Sequence, residues 1–109
     1  MSRINSRAKG AAGEREFANY LREHGYEARR GQQFSGGADS PDVIGLPGVH
    51  HEVKRVETFS LYPGLEQAIG DAGAGSMPVV AHRRNRKPWV AILLMDDFLK
   101  LYSEAKRAA

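Results

Sequence analysis

Asp42 is followed ten residues later by Glu52-Val53-Lys54. In a β-strand alternate side chains share a face, so Glu52 and Lys54 project together and Val53 projects oppositely. A hairpin between the two segments brings Asp42 beside Glu52. Two neighbouring carboxylates repel one another unless a cation lies between them. Mg²⁺ suits such a pair, because it binds through one or two carboxylates and keeps several waters. An adjacent lysine can orient or deprotonate such a water and offset charge developing on a phosphate. The spacing alone is unspecific, and an exposed hairpin with a same-face Glu–Lys pair would produce the same string.

Glu14 adds to the set. At about 100° per residue, a helix around it places Phe17, Ala18 and Leu21 on both sides of Glu14 and leaves Glu16 facing solvent. A carboxylate inside an apolar stripe needs a partner. Either an arginine or backbone amides satisfy Glu14, or it completes an acidic cluster with Asp42 and Glu52; the second reading is preferred.

The elements that position these residues follow from periodicity and turn chemistry. Residues 1–7 are polar and basic and read as a loose arm. A helix is expected from Lys9 to His24, stopped by Gly25. Tyr26–Arg30 is a candidate strand, and Gly31–Pro41 a Gly- and Ser-rich loop. Pro41–Leu46 and Val49–Val56 flank a Pro47-Gly48 turn and form the hairpin. A helix from Leu61 to Ala72 carries Leu61, Leu65, Ala68, Ile69 and Ala72 at helical spacing. Met77–His82 and Trp89–Leu94 are two more strands. The last helix starts at Asp96 or Asp97 as N-cap, with Phe98, Leu101 and Tyr102 turned inward. The fold class is therefore α/β: a central mixed five-stranded sheet flanked by helices in the order αβββαββα, with the third and fourth strands parallel across a helix.

Composition bounds the chemistry. The chain has 109 residues, 41% hydrophobic and 27% charged, as expected of one domain, 1–109, with a single core. There is no cysteine, so disulfides, thiolate metal sites and cysteine nucleophiles are excluded. Any metal must sit on Asp, Glu, His or backbone oxygen, which favours Mg²⁺ or Mn²⁺ over zinc. The run Val90–Met95 is far shorter than a membrane span, and a cytoplasmic location without membrane association is expected. The net charge is +3 and the pI about 9.4, a mild sign of a polyanionic partner. Positive charge concentrates in Arg3–Lys9, at Arg29-Arg30 and in His82-Arg83-Arg84-Asn85-Arg86-Lys87. The last run points to phosphate contacts by Arg83, Arg84, Arg86 and Lys87.

Other candidates read as structural. His50 shares the Glu52–Lys54 face but, at a strand start, reads as solvated, and His51 reads as a core residue. Trp89 reads as an anchor for the last strand, Asp39 as a loop cap, and Asp96-Asp97 as a helix start.

Lys9-Gly10 followed by Glu14-Arg15-Glu16, then Ser35-Gly36, Pro41-Asp42, Glu52-Val53-Lys54 and Gln67 together resemble the archaeal-type Holliday-junction resolvases and their phage relatives, within the PD-(D/E)xK nuclease superfamily. The resemblance spans about Lys9 to Ile69. It implies a restriction-endonuclease-like fold and a Mg²⁺-dependent DNA endonuclease, with Mn²⁺ able to substitute, acting on four-way or branched DNA as a homodimer. Asp42 and Glu52, with the backbone carbonyl of Val53, would ligate the metal, Glu14 would hold metal-bound water, and Lys54 would be the catalytic lysine. Ser35 would act near the scissile phosphate, with Lys9 and Gln67 at the DNA. The wheel sets Gln67 opposite the core stripe, which suits a DNA or partner contact. The alternatives are a nicking or restriction-like nuclease on linear DNA and a catalytically silent nucleic-acid-binding domain.

Overall fold

Phe17, Ala18 and Leu21 recur at helical spacing, and in the computed structural model they form the buried stripe of the first helix, α1, Ser6–Glu23. The structure describes residues 6–31 and 41–109; Ser35 and Asp39 lie outside them. Ser6 and Arg7, expected in a loose arm of residues 1–7, already belong to α1, and residues 1–5 lie outside the described residues. The helix ends where Gly25 takes a φ of +93°, a left-handed conformation that other residues adopt only with strain. The Gly25 N–H donates to Arg22 O at 3.0 Å and the Tyr26 N–H to Leu21 O at 3.1 Å. This is the paired closure of a Schellman cap.

Five strands follow the sequence pattern, trimmed at their ends: β1 Arg29–Arg30, β2 Val43–Ile44, β3 Val49–Arg55, β4 Met77–Arg83 and β5 Val90–Ile92. Helix α2, Leu61–Asp71, separates β3 from β4, and α3, Met95–Ala108, ends the chain. The sheet order is β1-β2-β3-β4-β5. Only β3 and β4 run parallel, paired from Val49–Met77 to Arg55–Arg83, and the other neighbours are antiparallel. The mixed sheet and its parallel pair are those expected. A parallel pair needs a crossover, and α2 supplies it.

The two helices cover opposite faces of β3 and β4. Ala28, Val43 and Ala81 pack beneath Phe17, Ala18 and Leu21 on the α1 face, with Val53 and Trp89 at the margin. Val80 packs beneath Leu65 and Ala68 on the α2 face, with Phe59 and Ile92 beside it. Trp89 is the anchor expected, 4.9 Å from Phe17 between ring centroids. His51 also meets Phe17 edge-on at 5.2 Å. Burial holds the His51 imidazole neutral, lowered to about 4, as suits a core residue. Leu61 and Ile69, expected on the buried stripe of α2, are exposed, because α2 meets the sheet through its narrow Gly64–Leu65–Ala68 face.

Helix α3 departs from expectation. It starts at Met95, its N-cap is Leu94 with no side-chain hydrogen bond, and Asp96 and Asp97 stand in the first turn. None of its residues is buried. Phe98, Leu101 and Tyr102, expected inward, are 47%, 45% and 54% exposed. The stripe is present in the sequence, but the described chain places no element opposite it. No helix among the described residues is long and apolar enough to cross a membrane.

Candidate active site

Strand β3 is covered on both faces, and that cover makes Glu52 unusual. It sits opposite Val80 of β4, so it points to the α2 side, and it is 5% exposed. A carboxylate this deep is costly unless it is neutralised or paired. Burial first, then the charge of Asp42, then hydrogen bonding to Asp42 and Asp71, push Glu52 up to about 9. Asp42 stands where the chain enters β2, and its Oδ2 accepts the Val53 N–H at 2.8 Å. Its own main chain is fastened on both sides. Its N–H donates to His51 O at 2.9 Å, and its carbonyl accepts the Gly31 N–H at 2.9 Å. The expected hairpin thus brings Asp42 and Glu52 together.

Glu14 approaches from α1. The side chain is 14% exposed and accepts Arg30 Nε at 2.9 Å. Burial raises its carboxyl above the usual range; the Arg30 hydrogen bond opposes this, and the charge of Asp42 adds to it. Glu14 therefore has the arginine partner of the first reading, and the charge of Asp42 also bears on it. Among the described residues, however, no three Asp, Glu or His side chains converge as a ready cation cage.

Lys54 leaves β3 on the same side as Glu52, and its Nζ donates to Gln67 Oε1 at 3.2 Å. Gln67 is exposed, as the wheel indicates. It is nonetheless tied to the site, because its long side chain reaches down from α2 to β3. Beside Lys54 opens a hollow of about 410 Å³ lined by Lys9, Gly10, Gly13, Val53, Arg55 and Val56. Gly13 lets α1 approach this closely, since a Cβ there would lie 2.7 Å from Arg55 Cβ. Lys9, exposed on α1, stands at the rim.

The basic turn starts at the same end of the sheet, where His82 pairs with Lys54 and Arg83 with Arg55. Arg83 is not a free cation. Its Nη1 donates to Glu16 Oε1 at 2.5 Å and its Nε to Lys87 O at 2.6 Å. Arg55 donates to the same Glu16 carboxylate at 3.0 Å and to Asn85 Oδ1 at 2.9 Å. Glu16, expected to face solvent, instead ties α1 to β3 and to the turn. Arg84, Arg86 and Lys87 remain exposed.

Three residues of the site escaped the sequence reading. His50, read as solvated, is 3% exposed and its Nε2 lies 3.1 Å from Glu52 Oε1. The signal was available: β3 was expected beside a parallel strand, and such strands are buried on both faces. Asp71, at the end of α2, reaches Glu52 from 19 positions away with no local pattern to mark it. Arg30 was noted only as part of a basic pair.

Comparison with known proteins agrees with this fold. No curated protein matches the chain. Five chains of solved structures do. One is the 1.6 Å structure of Archaeoglobus fulgidus Hjc, a Holliday junction resolvase from an archaeal hyperthermophile. It matches with a TM-score of 0.58 and 26% identity over 78% of this chain and 72% of that one. The family model of the archaeal Holliday junction resolvase (hjc) matches residues 5–100. That span contains both carboxylates of the hairpin, the lysine, Glu14 and the basic turn, and the chain belongs to the archaeal Holliday junction resolvase family of metal-dependent endonucleases.

Proposed function

We propose that the chain hydrolyses phosphodiester bonds in four-way DNA with Mg²⁺ as its metal and Mn²⁺ as a substitute, from a site built on Asp42, Glu52 and Lys54. The observation that carries this is the hairpin contact. Asp42 is locked by the Val53 N–H beside a buried Glu52, and Lys54 stands two residues further on the same strand face. The donor set fits a hard divalent cation, since it consists of oxygen ligands with no thiolate, and the charge of Asp42 bears on the buried Glu52. Asp42, Glu52 and the Val53 carbonyl would hold the ion. When bound, it neutralises the carboxylates and polarises the scissile phosphate.

The remaining steps belong to side chains. Glu14, at the edge of the acidic group, orients water. Lys54, freed from Gln67 by the incoming phosphate, offsets charge on the phosphoryl oxygens. Gln67, Lys9, Arg84, Arg86 and Lys87 border the path of the DNA, with Arg83 bracing the turn. Ser35, expected near the scissile phosphate, lies outside the described residues.

A protein that cuts two opposed strands needs two such sites, and we assign a second copy of the chain to the uncovered stripe of α3. A dimer surface on the small residues of α2 is less favoured. Gly64 already has a partner within the chain, because the Phe59 ring fills the space a Cβ would need. A DNA-processing enzyme of this kind belongs in the cytoplasm, with its substrate.

The deciding experiment compares linear, nicked, Y-shaped and four-way DNA of matched sequence in Mg²⁺. Preferential paired cutting of the four-way substrate is expected. Equal cutting of linear duplex would leave a nicking or restriction-like nuclease. Binding without cleavage in any divalent metal would leave a silent DNA-binding domain.

A further inference from the structure

We infer that His50 is a positioning residue for the metal site, holding the Glu52 carboxylate in the orientation in which it can serve as a ligand. The inference rests on the metal reading above and gives a role within it to a residue that reading leaves idle.

The geometry is specific. His50 and Glu52 are alternate residues of β3, so both project to the α2 side. Both are more than nine-tenths buried, at 3% and 5% exposed. His50 Nε2 stands 3.1 Å from Glu52 Oε1. An imidazole adds nothing to a core that a leucine or phenylalanine would not supply, and its ring nitrogens must be satisfied once buried. Here one of them is satisfied by Glu52. A glutamate has three side-chain torsions, and β3 alone would leave them free. The His50 hydrogen bond fixes where Oε1 lies, and the other oxygen is then left to face a cation shared with Asp42.

Groups behind the direct ligands set ligand orientation in metal sites generally, and losing one costs about 10–100-fold in metal affinity or activity. His50 meets that description through its hydrogen bond to Glu52. The third neighbour of Glu52, Asp71, is an acceptor when ionised. It cannot donate to the Glu52 carboxylate as an imidazole N–H can.

The test uses two variants that keep the volume of the site nearly filled. His50→Phe removes the hydrogen bond, and His50→Gln keeps a side-chain N–H donor. Mn²⁺ binding is measured by calorimetry on the full chain without DNA, and the Mg²⁺ dependence of four-way DNA cleavage is measured in parallel. His50→Phe is expected to bind Mn²⁺ roughly tenfold or more weakly and to need correspondingly more Mg²⁺ for half-maximal cleavage. Its rate at saturating Mg²⁺ should largely recover. His50→Gln is expected to restore most of the Mn²⁺ affinity, with both variants melting within a few degrees of the parent.

Equal Mn²⁺ affinity in the parent and in folded His50→Phe overturns the assignment. So does equal weakening in both variants, because the loss would then follow the ring and not the hydrogen bond. If His50→Phe does not fold, His50→Gln decides: affinity close to the parent supports the assignment and tenfold weakening overturns it. Asp42→Asn separates the two claims. Failure of the parent to bind Mn²⁺, or unchanged binding in Asp42→Asn, removes the metal site itself. Loss in Asp42→Asn with no change in His50→Phe removes only the role of His50.

Discussion

Glu52 carries the sharpest expectations at the scale of single residues, because its chemistry and its burial pull in opposite directions. Glu52→Ala or Lys54→Ala should abolish cleavage of four-way DNA while leaving binding in a gel-shift assay largely intact; full activity in either folded variant would displace the proposed site. The metal-free protein should also report the strain of holding this carboxyl. Glu52 is raised from 4.5 to about 9 in the folded chain, so the folded state keeps a proton that the unfolded state has released. Its contribution to stability is complete below pH 4.5 and is lost as pH rises toward 9. His51 acts in the opposite sense and elsewhere. Lowered from 6.5 to about 4, it withholds stability as pH falls through that interval. Above pH 6.5 only the Glu52 slope remains of these two. Melting in EDTA between pH 6.5 and 9 should therefore show a falling midpoint for the parent and a flatter curve for Glu52→Gln, and Mn²⁺ supplied in the absence of EDTA should lift the parent most at the alkaline end. Parallel curves for the two proteins would mean that Glu52 is ionised throughout.

At the scale of elements the basic turn divides into two kinds of residue. Arg84, Arg86 and Lys87 are exposed, whereas Arg83 is bound to Glu16 and to the turn's own backbone. Replacing Arg84, Arg86 and Lys87 with alanine should weaken binding to every DNA shape. It should reduce the slope of log affinity against log salt by about 0.9 for each duplex phosphate that is no longer neutralised, with little change in melting. Arg83→Ala should instead lower the melting midpoint, since it loosens the link from α1 to β4. A salt slope unchanged in the triple variant would place the DNA elsewhere. The same contrast marks what the sequence could reveal. Strand alternation around Val49–Arg55 and the stop at Gly25 are local signals, and they placed β3, the end of α1 and the shared strand face of Glu52 and Lys54. A helical wheel gives the direction of a side chain but neither its reach nor what lies across from it. Glu16 was therefore assigned to solvent although two arginines of β3 and β4 meet it, and the hydrogen bond from Lys54 to Gln67 went unseen. His50 was assigned to solvent for a related reason: its burial depends on α2 lying over β3, a fact of packing and not of neighbouring residues.

At the scale of the whole molecule, α3 is the helix that the described residues leave unburied. Its 14 residues extend about 21 Å at 1.5 Å per residue. Phe98, Leu101 and Tyr102, with Met95 a turn earlier, form one apolar side, and all four are 45–67% exposed. A contiguous apolar patch of this kind marks an interaction surface. One acid–lysine set cuts one strand, so opposed cuts need two copies at a fixed separation, and two-fold dimers are the commonest arrangement. Uncovered stripes related by a two-fold axis can cover each other, as the same patch on both subunits. Light scattering should accordingly give a mass near twice 12.0 kDa. Phe98→Glu combined with Leu101→Lys should give a folded monomer that still binds Mn²⁺ but no longer makes paired cuts. Mixing excess Glu52→Ala protein with the parent should convert paired cuts into single nicks, since most active subunits would then face an inactive one. A double variant that stays dimeric would move the interface to another face, and a parent that is monomeric while still cutting both strands would remove the need for a second copy.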